Sequence, residues 1–325
     1  MTYVRKDWLD RLGMDVPTTY DEFIEMLTRF KNEIPECTAP YTAPGLKSTQ
    51  ALPEFYQGAT ADYVKVDGKW VDGMAQDNML TALQNLQDAY TAGLIDQEAI
   101  TNTTSACRDE WYAGTVGCFP YWGGLWGETL TVRLKQNVPD AEVIALPPIE
   151  GATYLYSAPS VQVISSKLSD EQVASVYKYF IEYMHDGGEG QVLFQSGVEG
   201  VHWQQSGNNI DPLPTISKPA EPFRKAWITP WLALTPMTAT DKNVEVSQEA
   251  TDSLAVVSAN AKNISVFPVS EQRTMITSDR TTTRENIISR VAMGQLTPEE
   301  GMAEYKAQAE TLNVAQALEE MNANA

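Results

Sequence analysis

The sequence predicts an α/β fold, rich in helix, with short strands gathered into mixed sheets. Three observations lead there. Amphipathic helical stretches alternate with single short apolar runs along the chain, which is the pattern of α/β layering. Capping and stop residues recur at the ends of the helical stretches. Hydrophobic residues make up 43% and charged residues 20% of 325 positions, a globular balance with enough length for one large or two medium domains.

The elements follow in order. "DWLDRLGM" predicts a short helix that ends at Gly13, a residue suited to the left-handed position after a helix. In "VPTTYDEFIEMLTRFKNEIP", Thr18 or Thr19 can cap, and Phe23, Met26, Leu27 and Phe30 recur at helical spacing until Pro35 closes the element. Residues 36–60 read as irregular, with a short apolar helix around Ala51–Tyr56. "YVKVDGKWVDG" alternates about Asp67-Gly68 and predicts a hairpin. A helix with Leu80, Leu83, Leu86 and Tyr90 on one face stops at Gly93. Next come a helix ending in a glycine turn, a strand over Thr115–Phe119, an aromatic and glycine loop, another helix, and a strand in "EVIALPPI". "APSVQVISSKLSDEQ" reads as a strand ending at Ser165-Ser166, then a helix capped by Ser169. Residues 204–275 are loop-rich, and the last fifty are helical, with Thr297, Pro298 and Glu300 forming a capping signature.

The composition excludes several functions. A net charge of −20 repels phosphate backbones and anionic lipid heads, so nucleic acid is not an expected partner. That field suits a neutral or cationic ligand without specifying one. Three cysteines, Cys37, Cys107 and Cys118, supply no disulfide framework and no zinc spacing, and read as buried thiols. The two histidines, His185 and His202, give little support to metal or Ser-His-Asp chemistry. No D-x-D-x-D-G calcium loop is present, and no cofactor is expected. The first thirty residues contain no apolar signal core, and no apolar run is long enough to span a bilayer.

The chemical signal is concentrated in "CFPYWGGLWGE", residues 118–128. Tyr121, Trp122 and Trp126 follow a predicted strand, where open α/β sheets place their ligands. A sugar has apolar C–H faces and hydroxyl edges, and aromatic platforms suit the faces. Gly123 and Gly124 would let a backbone approach closely. The competing reading is aromatic core. In "GVEGVHW", Glu199 and Trp203 could add an acceptor and a second platform, or serve as an ion-paired Glu and a packed Trp. Arg5 and Asp7 are two apart on an extended stretch and share a face, so they could point into a cleft or pair with each other. Trp111, Trp227 and Trp231 read as packing residues.

Four phrases together resemble the extracellular solute-binding proteins of ABC importers, of the carbohydrate-binding type with lipoprotein-like relatives. They are Arg5–Gly13, Pro17–Phe23, Gly114–Phe119 and Gly197–Trp203. Val116 and Gly117 depart from the family, where a Met-rich strand is common. The resemblance implies a type II periplasmic-binding-protein clamshell and a non-catalytic protein. Its ligand would be a solute, most simply an oligosaccharide, passed to permease subunits at the extracellular face of the membrane by a lipid-anchored or secreted protein whose signal and anchor lie outside this chain. A stacking Trp stands in the family's equivalent turn, which implies Trp122. The opening phrase lies just past the first hinge crossing in that family. The implied layout is therefore a hinge remnant at 1–7, a C-terminal lobe from 8–155 and 200–325, and a segment at 156–199 belonging to an N-terminal lobe. The last segment is expected to expose an apolar face, to the missing lobe segment or to a second copy. The alternative from a different class is a glycoside hydrolase with Glu128 and Glu199 as its carboxylate pair.

Overall fold

The computed structural model describes residues 1–47, 50–156, 161–213, 235–264 and 266–325. Its contacts divide the chain into two compact units, one of 1–158 with 249–325 and one of 159–248. The lobe boundaries expected from the sequence are near 156 and 199; the first lies close to the unit boundary at 158. The hairpin after residue 199 packs on the helix before it, and this keeps both in the second unit.

The first unit is built on a four-stranded sheet of β1 (Thr2–Arg5), β2 (Ala39–Tyr41), β5 (Val116–Pro120) and β6 (Val143–Ala145), in the order β2-β5-β1-β6. β2 runs parallel to β5, and β1 runs antiparallel to both β5 and β6. β1 is an interior strand, buried along its whole length. β5 is buried throughout as well. A Cβ at Gly117 would lie 2.4 Å from Cδ2 of Phe30, so this position in β5 admits only glycine against the helix behind it.

That helix is α2 (Tyr20–Glu33). Thr19 accepts from the Glu22 N–H, and the Glu22 carboxylate accepts from the Thr19 N–H. This reciprocal cap fixes its first turn. Phe23, Met26, Leu27 and Phe30 face the core, where Trp8 meets Phe30 edge-on at 5.3 Å. The preceding helix α1 (Lys6–Leu12) stops at Gly13, whose φ of 60° is left-handed. The predicted hairpin is β3 (Tyr63–Val66) and β4 (Lys69–Asp72), with Asp67 and Gly68 both at positive φ, as a two-residue turn of this hand requires. Helices Glu271–Ala292, Pro298–Thr311 and Val314–Ala323 close over this hairpin and over α4 (Asn78–Thr91).

A buried polar cluster ties these helices to the hairpin. Arg280 is 3% exposed and donates to Asp72 (2.5 Å), to the Tyr305 hydroxyl (2.9 Å) and to the Ala61 carbonyl (3.3 Å). Tyr305 donates to the other Asp72 oxygen at 2.6 Å, and the guanidinium lies 3.9 Å above the Tyr63 ring.

In the second unit, Ser169 and Gln172 form the expected capping box of the helix Asp170–Val176. Asp186 accepts from the backbone N–H groups of Gly188, Gly190 and Gln191 at 2.7–3.0 Å, opening the helix Glu189–Ser196. The hairpin Trp203–Ser206 and Asn209–Pro212 follows. One expectation fails here: Val161–Ser165 form no strand. Val161 and Val163 are exposed, and within this unit no described strand offers these residues a ladder. Tyr177 and Tyr179 are exposed in the same unit.

Candidate ligand-binding site

Parallel strands β2 and β5 end at the same edge of the sheet, and the aromatic loop leaves β5 there. Tyr121 donates its N–H to the Met1 carbonyl (2.8 Å), and the Tyr3 hydroxyl donates to the Trp122 carbonyl (2.8 Å). These bonds anchor the loop backbone to β1 while the Trp122 side chain stays 58% exposed. Beside it the rings form a graded series. Trp111 is buried and lies 6.1 Å from Phe119; Phe119 stacks on Tyr121 at 5.0 Å; Tyr121 meets the edge of Trp126 at 4.8 Å. Trp111 also donates its indole N–H to the Leu130 carbonyl at 3.3 Å. The series thus runs from core to surface, with Tyr121 and Trp126 half-buried.

The glycines of the loop serve packing more than access. Gly124 donates its N–H to the Ser253 hydroxyl (2.8 Å) on the helix Gln248–Asn260. A Cβ at Gly123 would lie 2.9 Å from Val257, and one at Gly127 would lie 2.7 Å from the Glu249 carbonyl. The expectation that Gly123 and Gly124 open the backbone to a ligand therefore gives way to a helix–loop contact. Gly127→Val is expected to cost about 1–3 kcal/mol, since backbone carbonyl and not a flexible side chain stands in the way. Urea unfolding of that variant measures it.

Polar groups missed in the sequence line the same edge. The Thr42 hydroxyl, just past β2, donates to Glu110 at 2.6 Å, and Asn102 donates to Asp96 at 2.5 Å. Burial pushes the Glu110 carboxyl up. Arg108, on α5 (Thr104–Ala113), sets its guanidinium carbon 5.7 Å from the Trp126 ring centroid and 6.0 Å from that of Tyr121. None of these residues carries a motif; only the turn from helix to strand to aromatic loop could have pointed to them.

The remaining candidates sit elsewhere. Arg5 is 1% exposed and donates to both Asp7 oxygens (2.8 and 2.6 Å) and to the Gly114 carbonyl (3.0 Å), so of its two readings the structure displays the ion pair. It locks α1 and the glycine turn before β5 to the sheet. Trp203 is 3% exposed and donates to the Gly197 carbonyl at 2.9 Å, within a small cluster of Val192 and Ile210. In this unit it is a packing residue. The second-unit carboxylate Glu199 is exposed, and Glu128 belongs to the first unit. Trp227 and Trp231 lie outside the described residues. The three cysteines are free thiols; burial pushes Cys37 up to about 12 and Cys107 up to about 11, which keeps them protonated and inert. Among the described residues no group of three or more His, Cys, Asp or Glu could hold a metal ion, and no helix is long and apolar enough to cross a membrane.

Residues 1–184 match the family of bacterial extracellular solute-binding proteins. The chain belongs to that family. Its fold is that of the type II periplasmic binding proteins, as similarity to solved structures shows. The alginate-binding protein AlgQ2 superposes with a TM-score of 0.70 at 18% identity, covering 99% of this chain and 71% of that one. A human-milk-oligosaccharide (HMO) binding solute-binding protein from Bifidobacterium longum infantis gives a TM-score of 0.68 at 16% identity, covering 99% and 72%. In sequence the chain is similar to lipoprotein LipO of Bacillus subtilis, 22% identical over 218 residues that cover 62% of this chain and 43% of LipO. It is also similar to the fructooligosaccharide ABC transporter substrate-binding protein FusA of Streptococcus pneumoniae, 33% identical over 111 residues covering 30% and 20%. These matches span less than half the length of either curated relative.

Proposed function

We propose that the chain serves as the substrate-binding component of an ABC importer, capturing an oligosaccharide outside the cell and delivering it to permease subunits. One observation carries the reading: an exposed Trp122 stands beside Tyr121 and Trp126 at the sheet edge where this fold class places ligands. The sugar lies with its C–H faces on these rings, and the polar groups about Arg108, Asn102 and Thr42 meet its hydroxyl edges. Relatives support the ligand class, since FusA has been seen with kestose and a Bacillus licheniformis sugar transporter with stachyose. The described part of residues 159–248, with exposed Val163, Tyr177 and Tyr179, presents an apolar face that suits a further lobe segment or a second copy.

The reading makes the protein a carrier, with Glu199 and Glu128 outside any catalytic role. Titration of the intrinsic tryptophan fluorescence with kestose, stachyose and acidic oligosaccharides is expected to give a saturable change with one of them, and the sugar is recovered intact. New reducing ends that disappear in Glu199→Gln would replace this reading with a hydrolase.

A further inference from the structure

The aromatic corner of Tyr121 and Trp126 has a cationic wall. Arg108 leans over both rings, and the hydrogen bond its guanidinium donates goes to the neutral Ser105 hydroxyl at 3.0 Å. Arg133, on α6 (Leu125–Lys135), is close enough that it and Arg108 both draw down the pKa of Tyr112, against the stronger upward effect of burial. Among the described residues neither arginine forms an ion pair. That is unexpected in a chain with 43 acidic and 23 basic side chains, where a carboxylate partner is easily found.

The acidic groups nearby are otherwise engaged or weakened. Glu110 accepts from Thr42, and burial favours its neutral form. Asp96 accepts from Asn102. Asp109, next to Arg108 in sequence, is exposed to solvent and forms no ion pair with it, though its charge reaches Tyr112 as those of the two arginines do. The net charge of −20 acts at long range, and physiological salt screens it over about 8 Å, so the guanidinium at contact decides the local preference. A planar guanidinium with free N–H groups matches a carboxylate in a two-point hydrogen bond.

We infer that Arg108 selects a carboxylate-bearing sugar, a uronate unit, for the position on Tyr121 and Trp126. The sugar ring stacks while its carboxylate takes two N–H groups of Arg108. This rests on the oligosaccharide reading above and narrows it.

The test compares trigalacturonate with maltotriose by calorimetry, on the full chain and on Arg108→Gln and Arg108→Lys. The expected result is that trigalacturonate binds at least tenfold more tightly than maltotriose. Arg108→Gln removes that preference, and Arg108→Lys, which keeps the charge but not the planar fork, retains part of it. Unchanged thermal midpoints in both variants separate this from a packing role. Equal or tighter binding of maltotriose to the unmodified chain, or an undiminished preference in Arg108→Gln, overturns the assignment to Arg108 and leaves the oligosaccharide reading standing. Binding of neither this pair nor any other oligosaccharide overturns both.

Discussion

Arg280→Ala is expected to destabilise the first unit by about 3–5 kcal/mol, among the largest single-residue losses available in this chain. Removing the guanidinium leaves Asp72 buried without its cation and takes a donor partner from the Tyr305 hydroxyl. It also uncovers the Tyr63 ring at the base of the hairpin. The cost comes from stranding a buried charge, so it should shrink when the charge goes too. Arg280→Met combined with Asp72→Leu is expected to recover most of the loss, since well-packed apolar replacements of a buried pair are often neutral. Denaturant unfolding of the single and double variants reads both numbers. A loss below about 1 kcal/mol in the single variant would mean that Arg280 is not stabilising Asp72.

Trp111→Ala is expected to cost a similar amount, about 3–5 kcal/mol, because it empties a large volume in a core that cannot collapse to fill it. Trp111, on α5, is fully buried and donates its indole N–H to the Leu130 carbonyl of α6. Its effect should also reach the site. Phe119 rests on Trp111, Tyr121 rests on Phe119, and Trp126 rests on Tyr121. Trp111→Phe, which keeps a ring in place, is expected to lose less stability and to keep ligand affinity. Equal losses in the two variants would show that the indole hydrogen bond, and not the packed volume, does the holding.

Local structure was legible wherever one residue dictates one local geometry. Thr19, Ser169 and Thr297 cap as their spacing to Glu22, Gln172 and Glu300 requires, and Gly13, Gly93 and the Asp67-Gly68 pair take the positive φ their positions demand. Contacts set by distant chain were not legible. Arg5 is held by Gly114, and Arg280 by Asp72, across more than a hundred residues of intervening chain, with no periodic signal. Gly123 and Gly124 read as ligand-facing because the helix that crosses them comes more than a hundred residues later. The Val161–Ser165 stretch alternates like a strand, yet alternation supplies only one face; a strand also needs a neighbour for its backbone groups.

The aromatic residues of the site were legible for a chemical reason: large rings between glycines are conspicuous. Arg108 and Asn102 were not, because a charged or amide side chain on a helix looks the same whether it faces solvent or a neighbouring ring. Only the return of β5 beside β2 brings α5 to the edge where Tyr121 stands.

The most direct test of the oligosaccharide site is calorimetric titration of Trp122→Ala beside the unmodified chain, with whichever oligosaccharide the latter binds. Trp122 is exposed and supports little of the core, so the thermal midpoint should not move. The account predicts an affinity loss of about tenfold or more, as expected for an aromatic platform at the centre of a binding contact. Undiminished affinity in Trp122→Ala would contradict it and would place the ligand away from the end of β5.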